Sequence, residues 1–278
     1  MLPNANSIQV YPAGKVIDKH AVAVSFSRAA DSYDRVANIQ RWVVAELLAR
    51  GQAMGSAQQV LDIGCGTGFL TQKVIKQLNP KTVIGIDIAE GMAKSTHTKL
   101  QQVATVKLKA SVCGDAEALP FKAGSFDLLV SSFALQWCPD LTRTFAEIHR
   151  VLAPGARAYF ALPIGQTLHE LKTCWRQVDP DTSHVNEFYQ QQELVAAAQQ
   201  LDFKQVNIEV QEQQEFYPDL RAITNALKAM GAHNVTQGRA KQLTGKQKLK
   251  QLTEQYERYR SDRGLPVTWQ VAFGSLLK

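Results

Sequence analysis

The stretch that most constrains this chain is Gln58 to Gly68, QQVLDIGCGTG, which runs straight into FLTQKVIKQL. Val60, Leu61 and Ile63 read as a short buried strand, while Leu70, Val74 and Leu78 recur at helical spacing. Gly64, Gly66 and Gly68 stand where the period changes. Glycines at a strand-to-helix join leave backbone amides unobstructed by Cβ atoms at a positive helix end, so a small anionic or carboxylated ligand is expected there. A dinucleotide loop has the form G-x-G-x-x-G; counted from Gly64, the third glycine comes one residue early and Phe69 fills the dinucleotide position. Asp62, an acid at the strand end, is placed to accept from an ammonium group. A ligand with both an ammonium and a carboxylate therefore fits better than a pyrophosphate.

The pattern E/D-x-G-x-G-x-G resembles motif I of the class I S-adenosylmethionine-dependent methyltransferases. The resemblance implies a Rossmann-like α/β fold with a seven-stranded sheet and S-adenosylmethionine as cofactor. Asn79-Pro80 ends the first helix, and KTVIGIDI reads as a second buried strand closing on Asp87. An acid about 20 residues beyond the glycine loop is placed to accept both ribose hydroxyls. Ile88 and Met92 follow, as adenine contacts or as core. A third strand in VKLKASVCGDAEALPF puts Asp115 and Ala116 where a carboxylate and an amide can meet the adenine edge. The fourth, DLLVS, leaves Ser131 and Ser132 at the carboxyl edge where ligands of open α/β sheets sit; Ser131 is the expected contact. Helix LTRTFAEIHRV stops near Pro154-Gly155, and ARAYFALP is the fifth strand. Upstream, residues 15–50 carry a helical repeat, and Tyr33 there is expected to fold over the cofactor.

Charge and cysteine usage narrow the function. The chain has 278 residues and a formal net charge of +6. Most of that excess lies between Gln237 and Gly264, with eight basic residues against three acidic ones. Such a face can steer an acidic partner, nucleic acid or protein, or be a solvated surface. Amino-directed nucleobase methylases place N/D-P-P-Y/F after the fourth strand; here stands Ser-Ser-Phe-Ala, which argues against them. Cys138 reads as a small buried residue and not a nucleophile. Cys65, Cys113, Cys138 and Cys174 are scattered without C-x-x-C spacing, so neither a zinc site nor a disulfide framework is expected. With no basic start and apolar core at the amino terminus and no apolar run of about 20 residues, a cytoplasmic location is expected.

The expected organisation is one domain over 1–278: covering helices in 1–50, a cofactor-binding core in 58–163, helical lid insertions at 164–190 and 219–264, and final strands at 203–217 and 266–277. The phrases SFSRAADSYD, LDIGCGTG, GDAEALPF, SSFALQWCPDL, ELKTCWRQVD, HVNEF, LKAMGAHNVTQGR and GLPVTWQV together resemble the BioC family, the malonyl-acyl-carrier-protein O-methyltransferases of biotin synthesis. That resemblance implies methyl transfer to the free carboxylate of a malonyl thioester on an acyl carrier protein. Such a carboxylate, with a pKa near ~4, is ionised already and needs no general base. His184 and Arg239 are the candidate partners of the malonyl anion, and Lys246, Lys248, Lys250, Arg258 and Arg260 the candidate carrier-protein surface. Two other readings stay open: a small-molecule C- or N-methyltransferase such as a quinone-ring methylase, and a non-catalytic module that binds the cofactor.

Overall fold

The computed structural model describes residues 17–30, 33–36, 38–230 and 245–278. Helices α1 (Lys19–Ala29), α2 (Tyr33–Val36) and α3 (Asn38–Arg50) precede the sheet. Strand β1 (Gln59–Ile63), helix α4 (Phe69–Leu78), β2 (Thr82–Asp87), α5 (Glu90–Gln101), β3 (Leu108–Cys113), β4 (Phe126–Ser132), α6 (Leu141–Val151) and β5 (Leu152–Pro163) follow in alternation. After them come α7 (His169–Val178), α8 (Gln191–Gln199), β6 (Gln205–Tyr217), α9 (Leu220–Ala229), α10 (Lys246–Tyr256) and β7 (Leu265–Leu277). Local chemistry sets several of these limits. Asp18, Asp140 and Asp219 cap α1, α6 and α9 by accepting from the Ala21, Arg143 and Ala222 amides. Asn79 ends α4 in the left-handed region. Helix α6 ends at Val151, earlier than Pro154-Gly155 suggests, and those two residues lie inside β5.

The seven strands are ordered β3-β2-β1-β4-β5-β7-β6. The first five are parallel, and β7 runs antiparallel to both β5 and β6. Alternate side chains of each strand serve different cores. Val60, Val83, Leu128 and Val130 join Ile39, Val43, Leu47, Leu70 and Val74 of α3 and α4 on one face. Leu61, Ile63, Ile86, Leu129 and Phe160 join Leu141, Phe145, Ile148 and Leu194 of α6 and α8 on the other. Burial on both faces makes the central strands continuous apolar runs, as parallel sheets require. The described parts of the two insertions meet, with Leu171 and Cys174 of α7 and Leu252 and Tyr256 of α10 in one core with Val267 and Trp269 of β7.

Candidate functional site

The strand order reverses between β1 and β4, where connections diverge to opposite faces and leave a crevice at the carboxyl ends. A crevice of about 730 Å³, counted out to its mouth, lies there. Gly64 and Gly66 border it, as do Asp87, Ile88 and Met92 beyond β2, Asp115 and Ala116 beyond β3, and Tyr33 from α2. Most of the residues expected from sequence are thus brought to one place.

The glycine loop needs its glycines for reasons of packing and dihedral. Gly64 has φ +69°, and a Cβ there would lie 2.0 Å from the Ala134 Cβ. Gly68, at φ +82°, presses on Thr96 of α5. The loop amides are not idle, however. Those of Gly64 and Cys65 donate to the Ile86 carbonyl, that of Gly66 to Asp87 Oδ2 (2.9 Å) and that of Gly68 to the Cys65 carbonyl. The expectation of open amides awaiting a carboxylate is corrected at these positions: hydrogen bonds to β2 and, for Gly68, within the loop claim them. Asp87 takes the Gly66 amide on one oxygen and the Ala89 amide (2.8 Å) on the other, leaving further lone pairs toward the crevice. Burial pushes its carboxyl up to about 6, against those two amide bonds.

Asp62 lies behind the loop and is absent from the crevice wall. It is 1% exposed; Oδ2 accepts from the Thr71 hydroxyl (2.5 Å), and Oδ1 has no partner among the described residues. Burial, with the Thr71 bond opposing, pushes this carboxyl up to about 7. An orphaned buried acceptor beneath a glycine loop suits a cationic ligand group, and Asp87 suits vicinal hydroxyls. The site therefore fits the methyl donor expected from motif I. Ser131 is a second correction. Its hydroxyl donates to the Ile63 carbonyl (2.8 Å) within the sheet, and Ser132 borders the crevice in its place.

The sequence points to covering helices in 1–50 but singles out only Tyr33 among their residues. Helix α1 contributes Lys19, Val22 and Phe26 to the crevice. Lys19 pairs with Asp115 (2.6 Å) and with buried Glu117 (2.5 Å); burial alone would lower this ammonium, but the two acids outweigh it and leave it raised. The other end of α1 closes on α5, where the Gly91 amide donates to the Ser27 hydroxyl (3.1 Å) and a Cβ on Gly91 would sit 2.7 Å from the Ser27 carbonyl oxygen. Trp137 and Cys138, in the turn after β4, complete the wall. The Cys138 thiol is buried and pushed by that burial up to about 12.

Beyond Tyr33 and Trp137 a second chamber of about 420 Å³, again counted out to its mouth, opens, walled also by Phe26, Gln40, Phe133, Gln136, Pro163, Leu168, Asn186, Phe188, Met230 and Trp269. Phe133 (φ 53°) and Leu168 (φ 59°) hold left-handed backbone there, the kind of strain that clusters at ligand sites. Burial raises the Tyr33 phenol, despite a hydrogen bond with Gln40, so it is a neutral group and no base. His184 is not among the described residues lining either space. It is bound to Asp179 (2.8 Å) and stacked on Trp175 at 3.6 Å, with Lys248 on the same carboxylate (2.9 Å). The structure thus gives His184 a packing partner and an acid in place of a ligand. Arg239 lies outside the described residues.

Known proteins place this geometry. The family described as "Methyltransferase domain" matches residues 61–160. Among solved structures, YcgJ of Bacillus subtilis superposes with a TM-score of 0.59 at 18% identity, covering 84% of this chain and 97% of that one; this likeness shows the fold. The biotin biosynthesis bifunctional protein BioHC of Cellvibrio japonicus is 41% identical over 94% of this chain, which spans 51% of that longer protein. The malonyl-[acyl-carrier protein] O-methyltransferase of Gallionella capsiferriformans is 37% identical over 95% of this chain and 92% of its own length. With identity of that degree from end to end, this chain belongs to the malonyl-[acyl-carrier protein] O-methyltransferase family.

Proposed function

We propose that this chain transfers a methyl group from S-adenosylmethionine to the free carboxylate of a malonyl thioester carried on an acyl carrier protein, in the cytoplasm, giving the methyl ester that enters biotin synthesis. The observation that carries the reading is the extent of the likeness: the 37% identity is averaged over 95% of the chain, a span too long to leave out the insertions that supply Leu168, Asn186, Phe188 and Met230 to the second chamber. The crevice holds the donor and the chamber the acceptor.

Bound in the crevice, the donor would supply an electrophilic methyl group on a sulfonium. Asp87 would hold its ribose, Asp62 its ammonium end from behind the loop, and Asp115 with Ala116 its adenine; Ile88 and Met92 pack beside the base. The acceptor carboxylate needs no base, and the second chamber offers none among its described residues. Its work is to align and to exclude water. Apolar walls also favour the chemistry, because a cation and an anion combine into neutral products and the transition state carries less charge than the reactants. Tyr33, on the boundary of both spaces, closes over donor and acceptor. Arg239 remains the proposed cationic partner of the malonyl group. The carrier protein, acidic by class, docks on α10 and the turn after it, where Lys246, Lys248 and Lys250 flank Leu249 in sequence, an apolar side chain 48% exposed, and Arg258 and Arg260 follow.

Transfer of a radiolabelled methyl group to malonyl-, acetyl- and free-acid acceptors tests this. Label on the malonyl thioester alone is expected. Equal labelling of free malonate, or no labelling by a protein that binds S-adenosylhomocysteine normally, refutes it.

A further inference from the structure

Six buried side-chain polar atoms lack a hydrogen-bond partner among the described residues, and three of them, Gln40 Oε1, Gln136 Oε1 and Trp137 Nε1, belong to residues that wall the second chamber. Native proteins leave few such atoms unmet, since each forfeits its bonds to water. Their gathering around one cavity suits a ligand that brings hydrogen-bond partners. Of the three, only Trp137 Nε1 is a donor. Its ring borders the donor crevice as well, so it stands at the junction where methyl group and acceptor must meet.

The ring is held in place. The left-handed turn at Phe133 redirects the chain out of β4 into a short helical turn, Leu135–Trp137, which the Trp137 amide closes on the Ala134 carbonyl (3.0 Å). Phe26 packs edge-on against the indole at 5.6 Å. Resting on the malonyl reading above, we infer that the Trp137 indole N–H holds one oxygen of the acceptor carboxylate, leaving the other free to attack. A neutral donor suits this oxygen, because beside the cationic partner proposed above it fixes orientation without adding further charge to blunt the nucleophile. The carboxylate loses its charge as the methyl arrives, so this hydrogen bond is stronger before reaction than during it. Trp137 therefore contributes to acceptor binding more than to the chemical step.

The test replaces Trp137 with 3-benzothienylalanine, which keeps the fused-ring outline but has sulfur for the N–H, beside Trp137→Phe. Calorimetry with malonyl-pantetheine is run on enzyme saturated with S-adenosylhomocysteine, and steady-state kinetics on the active enzyme. Acceptor affinity and acceptor KM should weaken roughly 10- to 100-fold, the worth of a hydrogen bond to a charged group. The kcat should hold or rise by up to about threefold, because the lost bond is stronger in the bound ground state than in the transition state, and S-adenosylhomocysteine affinity should stay within about twofold, because the product nucleoside does not use that N–H. Unchanged acceptor affinity in the benzothienyl variant overturns the inference, as does a parallel fall in S-adenosylhomocysteine affinity and Tm, which marks a packing role. A wild-type enzyme that neither binds nor methylates the malonyl probe overturns the parent reading, and this one with it.

Discussion

The donor crevice takes its floor from turns at the carboxyl ends of adjacent strands, whereas the second chamber draws walls from α1, α2, α3, the turn after β4, residues 163–168, residues 186–188, Met230 and β7. That floor begins in one strand-turn-helix unit, shaped by three glycines and two acids close in sequence. The second exists only once the whole chain is folded. Cofactor binding and acceptor choice should therefore respond to different substitutions, and the cleaner that separation, the more independent the two spaces are.

The largest effect is expected at the crevice. Asp87→Ala removes the acceptor for two backbone amides and for the ribose, each a hydrogen bond to a charged group, so S-adenosylhomocysteine affinity should fall about 100-fold or more by calorimetry. Acceptor KM at saturating cofactor should barely move; a large change there would mean the two spaces are one.

Next comes pH. The Asp62 and Asp87 carboxyls stand at about 7 and about 6, above the ordinary 3.8, so in this range the folded protein keeps protons that the unfolded chain has released. The stability that those protons represent is complete below about 4 and is lost as pH rises through 6 to 7. A ligand that sets its ammonium group against Asp62 and its hydroxyls on Asp87 reverses the preference, because both contacts favour the ionised acids. Affinity for S-adenosylhomocysteine should thus rise with pH, by up to about tenfold per unit between 6 and 7 and more steeply below 6, and level off above 7. Asp62→Asn should flatten the upper part of that rise, and an unaltered profile would remove Asp62 from the site.

Tyr33→Phe tests the boundary itself. Loss of a neutral hydroxyl between the spaces should lower kcat/KM by about threefold to tenfold, the worth of one ordinary hydrogen bond. A fall confined to cofactor affinity would assign Tyr33 to the crevice alone. The smallest effect belongs to the surface: reversing Lys246, Lys248 and Lys250 to Glu should slow turnover of the carrier-bound substrate several-fold at low salt and leave malonyl-pantetheine untouched. Equal effects on both would refute a docking role.

How much was legible follows the same division. Strand, glycine loop and helix are local, so Gly64, Gly66 and Asp87 could be read from spacing. Ser131 and Ser132 could not be told apart, because a strand buried on both faces shows no alternation to reveal which side chain points at the ligand. Lys19 meets Asp115 across 96 residues, and no periodicity announces a pairing of that kind. Trp137 stood in a phrase noticed for its cysteine, while the signal that singles it out, a donor with nothing to bond, exists only in three dimensions. His184 sits in a suggestive phrase, but Trp175 and Asp179 already occupy both its face and its ring nitrogen.

Helix α1 reaches the adenine side through Lys19 and, two turns on, borders both spaces through Phe26. A single segment over two adjoining compartments has a testable consequence: if it lifts to admit the nucleoside, its return rebuilds the wall against which the thioester then settles. Binding is then expected to be ordered, with the nucleoside first on and last off. Under that order S-adenosylhomocysteine competes with S-adenosylmethionine and inhibits noncompetitively against the thioester, and loosening the Lys19 clasp speeds the final departure.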